Sequence, residues 1–407
     1  MYKYDPVGLT PSGDEVQLQR SDLEKNKIIF IAERIPSYGY STYRLLSKKS
    51  NLKPEDKIYV SNTLLENKFY RIKIDKLSGN ISSIFDKEEK REILSKEGGN
   101  ILQLFEDNPK QYDAWNIGAG RIFKTNQVER IEVIEQGPVR GILRVVKRCK
   151  ESEFQQDIII YSNLKRIDFK IKTFWKLRRT MLKLAFYLNL EADFVTYEIP
   201  YANIKRETNP KSKEEWAEWE VYGHKWIDYT QRDSSYGVSL LNDAKYGFDV
   251  KGNLIRMTLL RGPLYPDSKA DKGWHSIFYS LYPHQGDWRK AKTIRRGYEV
   301  NYPLIIRFEE NHKGSLPKSY SFFSISPENA VLSVVKKAEE TPSLILRFFE
   351  TEGSKTKAKI ILPFEPREAY QTDLLERNLN KIKSKGNKIS LPLGKYEIKT
   401  IKVEGLW

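Results

Sequence analysis

An all-β fold is what this sequence predicts, and three observations predict it. Apolar and polar residues alternate at period two along most of the chain, Gly, Pro and Asn punctuate that alternation, and helical periodicity is scarce. Many strands of this kind cannot bury themselves singly, so packed sandwiches are expected. The hairpin comes first in the chain: Tyr70, Ile72 and Ile74 lead into a turn at Leu77-Ser78-Gly79-Asn80, and Ile81 and Ile84 continue beyond it. One face of that hairpin should be buried and the other wet. Ile158-Ile159-Ile160 is apolar on both faces and suits a central strand covered on each side. In Arg166-Ile167-Asp168-Phe169-Lys170-Ile171-Lys172 the apolar residues take the odd positions and the charges the even ones. Leu182, Leu184, Phe186, Leu188 and Leu190 form another apolar face, opposed by Lys183, Tyr187 and Asn189.

Helix signals are few. Lys211 to Ala217 is polar and reads as a loop excursion. Ser326-Pro327-Glu328-Asn329 has the form of a helix start, with Ser at the N-cap and Pro at the first helical position. The following Ala330-Val331-Leu332-Ser333-Val334-Val335 is β-branched and would serve equally as a strand, so local signals leave the two even. Two polar breaks, Asn51-Leu52-Lys53-Pro54-Glu55-Asp56 and Asn311-His312-Lys313-Gly314-Ser315-Leu316-Pro317-Lys318, divide the chain into segments 1–53, 54–312 and 313–407.

Composition bounds the function. At 407 residues, with 39% apolar residues and fifty aromatic rings, there is material for several cores, which excludes a disordered or fibrous chain. A single Cys excludes a disulfide framework and a Cys-based zinc site. One Cys and three Met beside abundant Lys, Glu and Ile fit a cytoplasmic protein from a hot environment. The start, Met1-Tyr2-Lys3-Tyr4-Asp5-Pro6, lacks the apolar core of a signal peptide, and no apolar run approaches the roughly eighteen residues of a membrane span, so no membrane role is expected. The net charge of +16 raises nucleic acid as a partner, but the basic residues are spread from end to end and no recognition module is present. The sequon Asn80-Ile81-Ser82 reads better as turn chemistry between two strands.

Most catalytic templates fail. Gly118-Ala119-Gly120 runs into Arg121-Ile122-Phe123 and does not complete a dinucleotide fingerprint. Cys149 sits in a strand-like stretch where an inert thiol is expected. No two of His224, His275, His284 and His312 stand at i+2 or i+4, so no metal site is expected in this chain. Acids and rings do cluster, in Asp107-Asn108-Pro109-Lys110-Gln111-Tyr112-Asp113-Ala114-Trp115-Asn116 and in Arg261-Gly262-Pro263-Leu264-Tyr265-Pro266-Asp267 through Asp271 to Trp274-His275. Rings stack on the C–H faces of sugars and charged groups bind their hydroxyls, so both stretches are candidate carbohydrate surfaces, with loop packing as the equal alternative. Two carboxylates running glycoside hydrolysis would need a separation of about 5–10 Å.

These stretches carry a resemblance. With Leu65-Glu66-Asn67-Lys68-Phe69-Tyr70, Gly79-Asn80-Ile81-Ser82-Ser83-Ile84-Phe85-Asp86-Lys87, Gly99-Asn100-Ile101-Leu102-Gln103-Leu104-Phe105-Glu106-Asp107 and Asp113-Ala114-Trp115-Asn116-Ile117, the chain resembles the C-terminal, all-β half of family 38 glycoside hydrolases, the α-mannosidases. Tyr197-Glu198-Ile199-Pro200-Tyr201, Tyr236-Gly237-Val238-Ser239-Leu240-Leu241-Asn242-Asp243, Tyr279-Ser280-Leu281-Tyr282-Pro283-His284 and Asp373-Leu374-Leu375-Glu376-Arg377 extend the resemblance to almost the whole chain. It implies a large central antiparallel sandwich of the galactose-mutarotase-like kind over 54–312, smaller β-sandwiches over 1–53 and 313–407, and a strand after Pro327. It also implies a retaining α-mannosidase whose zinc, or another divalent metal, and whose nucleophile lie in an N-terminal α/β domain. The family's His-x-Asp metal pair occurs nowhere in this sequence.

The expectation is therefore a split enzyme. This chain, its first domain short of at least one strand, docks with a separately encoded catalytic half and itself carries no catalytic residue, cofactor or metal. A truncated gene product, or a carbohydrate-binding β-protein without catalysis, is the alternative. By the family's arrangement, the β-half walls the sugar pocket. The expected mannoside contacts are Arg261, Tyr265, Asp267, Asp271 and His275, then Asp243, then Asp113 with Trp115.

Overall fold

Two large antiparallel sheets face one another at the centre of the molecule. The structure is a computed structural model that describes residues 6–24, 26–48, 50, 52, 58–124, 127–212 and 220–405. One central sheet has nine strands, in the order 127–136, 140–149, 152–161, 167–175, 273–285, 236–242, 226–230, 194–199 and 202–207. The other has six: 119–124, 101–107, 180–187, 254–260, 247–251 and 221–222. Leu143, Phe154, Ile158, Phe169 and Ile171 of the first meet Leu102, Leu104, Leu182, Leu184 and Phe186 of the second in one continuous core. Phe169 stacks on Tyr279 at 5.0 Å and meets Phe186 edge-on at 5.9 Å, which fixes the depth of the sandwich.

The alternation does what it should in most strands. Tyr70–Ile74 buries Tyr70, Ile72 and Ile74 and leaves Arg71 and Lys73 in water, and it pairs with Ile81–Asp86 across the expected turn. Ile158-Ile159-Ile160 lies in an interior strand and is buried throughout.

The second face of the central sheets is drier than the pattern foretells. Lys183, expected to face water, is buried. Its ammonium lies 2.6 Å from Asp249 and 2.8 Å from Glu220, and Arg256 donates to the other Asp249 oxygen at 2.7 Å. Asp168 is likewise buried, accepting from Tyr161 at 2.8 Å, Arg166 at 2.8 Å and Ser280 at 2.6 Å. Buried charges of this kind persist only when every lone pair finds a donor.

Part of that dryness comes from a helix, Thr293–Asn301, which the sequence signals do not announce. It lies across the outer face of the nine-stranded sheet, where Trp226, Leu241 and Trp288 pack with Ile294 and Val300. Mid-helix Gly297 weakens the local signal, yet a Cβ there would stand 2.9 Å from Trp226 Cδ1, so glycine permits the close approach. Under the helix, Asp228 accepts from Ser239 at 2.7 Å and from His284 Nε2 at 2.8 Å. His284 is thus a buried, partnered histidine.

Residues 324–404 make two further sheets around a separate core that includes Leu346, Phe348, Ile360 and Ile401. The stretch after Pro327 is the strand Ala330–Lys337, as the resemblance implies. In the first segment, 6–9 pairs with 15–16 and 44–47, while Gly39–Ser41 pairs with Ser319–Ser321 and so ties that segment to the C-terminal region. The polar break at 51–56 falls, apart from Leu52, outside the described residues, as does the larger part of 211–217. Among the described residues, no helix is long and apolar enough to cross a membrane.

Candidate functional site

The two ring-and-acid stretches, about 150 residues apart in sequence, come together at one end of the six-stranded sheet. The strand Ile101–Asp107 delivers the first loop and Leu254–Leu260 the second. Asp107, the last residue of its strand, is buried. One of its carboxylate oxygens accepts Gly118 N–H at 2.9 Å, closing the loop 108–118, and the other accepts Arg261 Nε at 2.7 Å and Nη2 at 2.5 Å. The same guanidinium donates to the carbonyls of Asp113 at 2.8 Å, Asn116 at 2.7 Å and Ala114 at 3.3 Å. Arg261 is therefore the pin between the loops, its planar fork filled by protein groups.

The second loop is held in return. Asp113 accepts the backbone N–H groups of Leu264 at 2.6 Å and Tyr265 at 2.9 Å. The Leu264 N–H, with help from that of Tyr265, keeps the Asp113 carboxyl below its ordinary pKa against the opposing effect of burial. Gly262 N–Cα–C runs against neighbouring backbone: a Cβ there would come within 2.3 Å of the Leu177 carbonyl. Asp271 Oδ2 accepts Arg261 N–H at 3.0 Å, and its carbonyl accepts His275 Nε2–H at 2.8 Å. Lys245, which has Asp271 and Asp243 as its charged neighbours, is pushed below its ordinary pKa by burial and held up by those two carboxylates.

What the pinned loops present to solvent is aromatic. Tyr112, Trp115 and Tyr265 form a triangle with ring centroids 6.2–6.3 Å apart, and all three are exposed, Trp115 at 66%. Trp274 is 77% exposed beside Phe174, with centroids at 5.3 Å. Rings exposed singly are ordinary, but several gathered into one patch are the kind of surface that contacts another molecule.

The structure thus gathers Arg261, Asp113, Trp115, Tyr265, Asp271 and His275 in one junction. Asp243 joins them through Lys245. Asp267 stands apart, accepting the Lys269 N–H at 2.8 Å in its own turn. Sequence reasoning missed Asp107, Tyr112, Trp274 and Lys245 as members. The first three lie within the very stretches it singled out, but nothing local told the pinning acid from the others. Among the described residues, no three His, Cys, Asp or Glu side chains are grouped so as to hold a metal ion, and the junction does not fit zinc.

Residues 65–269 match the glycosyl hydrolases family 38 C-terminal domain, and 329–401 match the family 38 C-terminal beta sandwich domain. Alpha-mannosidase 2C1 of Homo sapiens is 30% identical over 357 residues, covering 84% of this chain and 34% of that protein. Alpha-mannosidase G of Dictyostelium discoideum is 32% identical over 352 residues, 83% of this chain and 32% of that protein. A solved family 38 protein from Enterococcus faecalis superposes with a TM-score of 0.80 at 16% identity, covering 99% of this chain and 53% of that one, which is a likeness of fold. The chain thus spans about a third of the length of the curated relatives it matches.

Proposed function

This chain belongs to glycosyl hydrolase family 38, whose C-terminal domain it carries, and on that premise we propose that it is the β-region of an α-mannosidase that removes terminal α-mannosides with retention. The observation that carries the reading is the family match over 65–269 together with the pinned aromatic junction inside it. In this reading the nucleophile and the metal belong to a catalytic half on a separate chain, and the junction forms part of the wall of its sugar pocket. The metal, when bound there, supplies Lewis-acid contact to sugar hydroxyls. The cytoplasm is the proposed compartment, in keeping with one cysteine in 407 residues.

The residues of this chain then divide by task. Tyr265, Trp115 and Tyr112 offer ring faces to the C–H face of a mannosyl unit. Asp271, Asp243 and His275 stand at the same junction, where a sugar's hydroxyls would be bound. Arg261, Asp107 and Asp113 are positioning residues, since their polar atoms are engaged between the loops. A contact made equally with substrate and transition state lowers KM alone, whereas one that strengthens as the ring flattens raises kcat.

The test is reconstitution. The chain is co-expressed with the catalytic portion of a family 38 enzyme and assayed on an aryl α-mannoside with zinc. Turnover that appears only with both parts is expected. An assembled complex that gains no activity sinks the reading. Within the active complex, Trp115→Ala and Tyr265→Ala should each raise KM several-fold, up to about tenfold, the loss of roughly one well-packed ring contact. Unchanged kinetics in both would remove the junction from the pocket. The second reading, a binding protein without catalysis, draws on the exposed rings alone, and calorimetry of the isolated chain with α-mannosides decides it.

A further inference from the structure

One stretch of the chain is apolar, exposed and unpaired at once. After the helix Thr293–Asn301 the chain runs without regular secondary structure through Tyr302-Pro303-Leu304-Ile305-Ile306-Arg307-Phe308. All of these side chains are exposed, Ile305 at 85% and Phe308 at 87%. A Leu-Ile-Ile-x-Phe run has the composition of a buried strand. Yet among the described residues the backbone of 303–310 makes no hydrogen bond, and it belongs to no sheet.

The segment that carries the strap is fastened before it and after it. Tyr302 stacks on Tyr298 of the helix, with ring centroids 5.7 Å apart. At the far end the Pro317 carbonyl accepts the Tyr40 hydroxyl at 2.6 Å, and the Lys318 carbonyl accepts Thr42 N–H at 2.8 Å, just before Ser319–Ser321 pairs with Gly39–Ser41. A fastened apolar strap of unpaired backbone is a template for an incoming surface, through backbone pairing and side-chain burial together.

We infer that the strap 302–308 is a docking surface for the catalytic half, an inference that rests on the proposed function for the identity of its occupant. Two observations select that occupant over a second copy of this chain. About two thirds of the length of the curated relatives lies outside the region matched here, and the family model names this region the C-terminal domain. In those relatives the remainder of the polypeptide precedes this region, on the side of the first segment, and the chain that follows the strap is tied to that same segment. Charge weighs against a second copy, since two chains each carrying +16 repel. The strand Arg44–Ser47, which pairs on one side only among the described residues, exposes Leu45 and Leu46 and extends the apolar area on that segment.

The test joins the catalytic portion of a family 38 relative to the front of this full chain and compares hydrogen exchange with the chain alone. Amides 304–308 should exchange at least about tenfold more slowly in the joined protein. Ile305→Asp with Phe308→Asp, both at exposed positions that leave the two cores intact, should abolish that protection. Protection without mannosidase activity keeps the docking surface and removes the proposed function. Activity with unprotected 304–308 overturns the docking surface and leaves the function standing, and unprotected amides without activity overturn both. Protection that rises with concentration in the chain alone identifies a second copy as the occupant and overturns the proposal.

Discussion

Lys147 is fully buried beneath the turn at Ser78-Gly79-Asn80, with its ammonium 2.5 Å from Asn80 Oδ1. That contact gives Asn80 of the sequon a structural task within the hairpin turn. Burial pushes the Lys147 pKa from 10.5 down to about 7, with Asp75 opposing. The sign follows from linkage. Below pH 7 the amine is charged in both states and the burial cost is carried in full. Between about 7 and 10.5 only the unfolded chain holds the proton, so stability rises with pH through that window. Lys147→Met should therefore stabilise the protein at pH 6–7, by a few kcal/mol at about 1.4 kcal/mol per pKa unit, and the gain should shrink by pH 10. Urea unfolding of both proteins at pH 6, 8 and 10 measures it, and a gain that does not change with pH refutes the account. Arg261 is the opposite case. Arg261→Met strands the buried Asp107 carboxylate, a loss of about 3–5 kcal/mol, and the same unfolding experiment should show it.

At the scale of elements, the least legible was the helix Thr293–Asn301. It opens on Thr-Ile, carries Gly297 at its middle and has no side-chain cap, so its start and its centre argue against it despite Arg295, Arg296 and Glu299. Packing on Trp226 and Trp288 makes it. Gly297→Ala improves helix propensity by about 1 kcal/mol, but its Cβ meets a Trp226 that the core does not let move, and overpacking costs about 1–3 kcal/mol. Net destabilisation is expected in thermal unfolding, and a raised Tm would contradict it. Strands were more legible because a period of two survives in any segment with one face buried, as in Tyr70–Ile74. The alternation failed to tell a wet face from a covered one at Lys183 and Asp168, because each looks the same in sequence whether its charge meets water or a partner 66 or 112 residues away.

For the whole molecule, one buried acid gathers the contacts that residues 19–23 of the first segment make with the central sandwich. Glu135 accepts from Ser21 at 2.6 Å, Leu23 N–H at 3.0 Å, Gln19 at 3.3 Å and Arg140 at 2.8 Å, while Gln19 Oε1 accepts Val139 N–H at 3.0 Å. Burial opposes its ionisation, and the Arg140, Ser21 and Leu23 donors together bring its pKa below the ordinary value. Glu135→Ala should speed exchange at amides 19–23 while the central sandwich keeps its protection, which mass-resolved hydrogen exchange would show. Equal protection in both proteins would mean that the strand pairing of 39–41 with 319–321 holds the segment by itself.

The sequence by itself determined the all-β class, the hairpins, the two ring-and-acid stretches and the family, because periodicity and ordered motifs are local properties of a chain. Only the tertiary structure decided that Arg261 and Asp113 hold the loops, that Asp107 pins them, that Asp267 stands aside and that Tyr112, Trp115 and Tyr265 face outward as a set. The physical reason is that a side chain's task depends on which donors and rings the fold brings within about 3–6 Å of it, and no spacing along the chain encodes those distances.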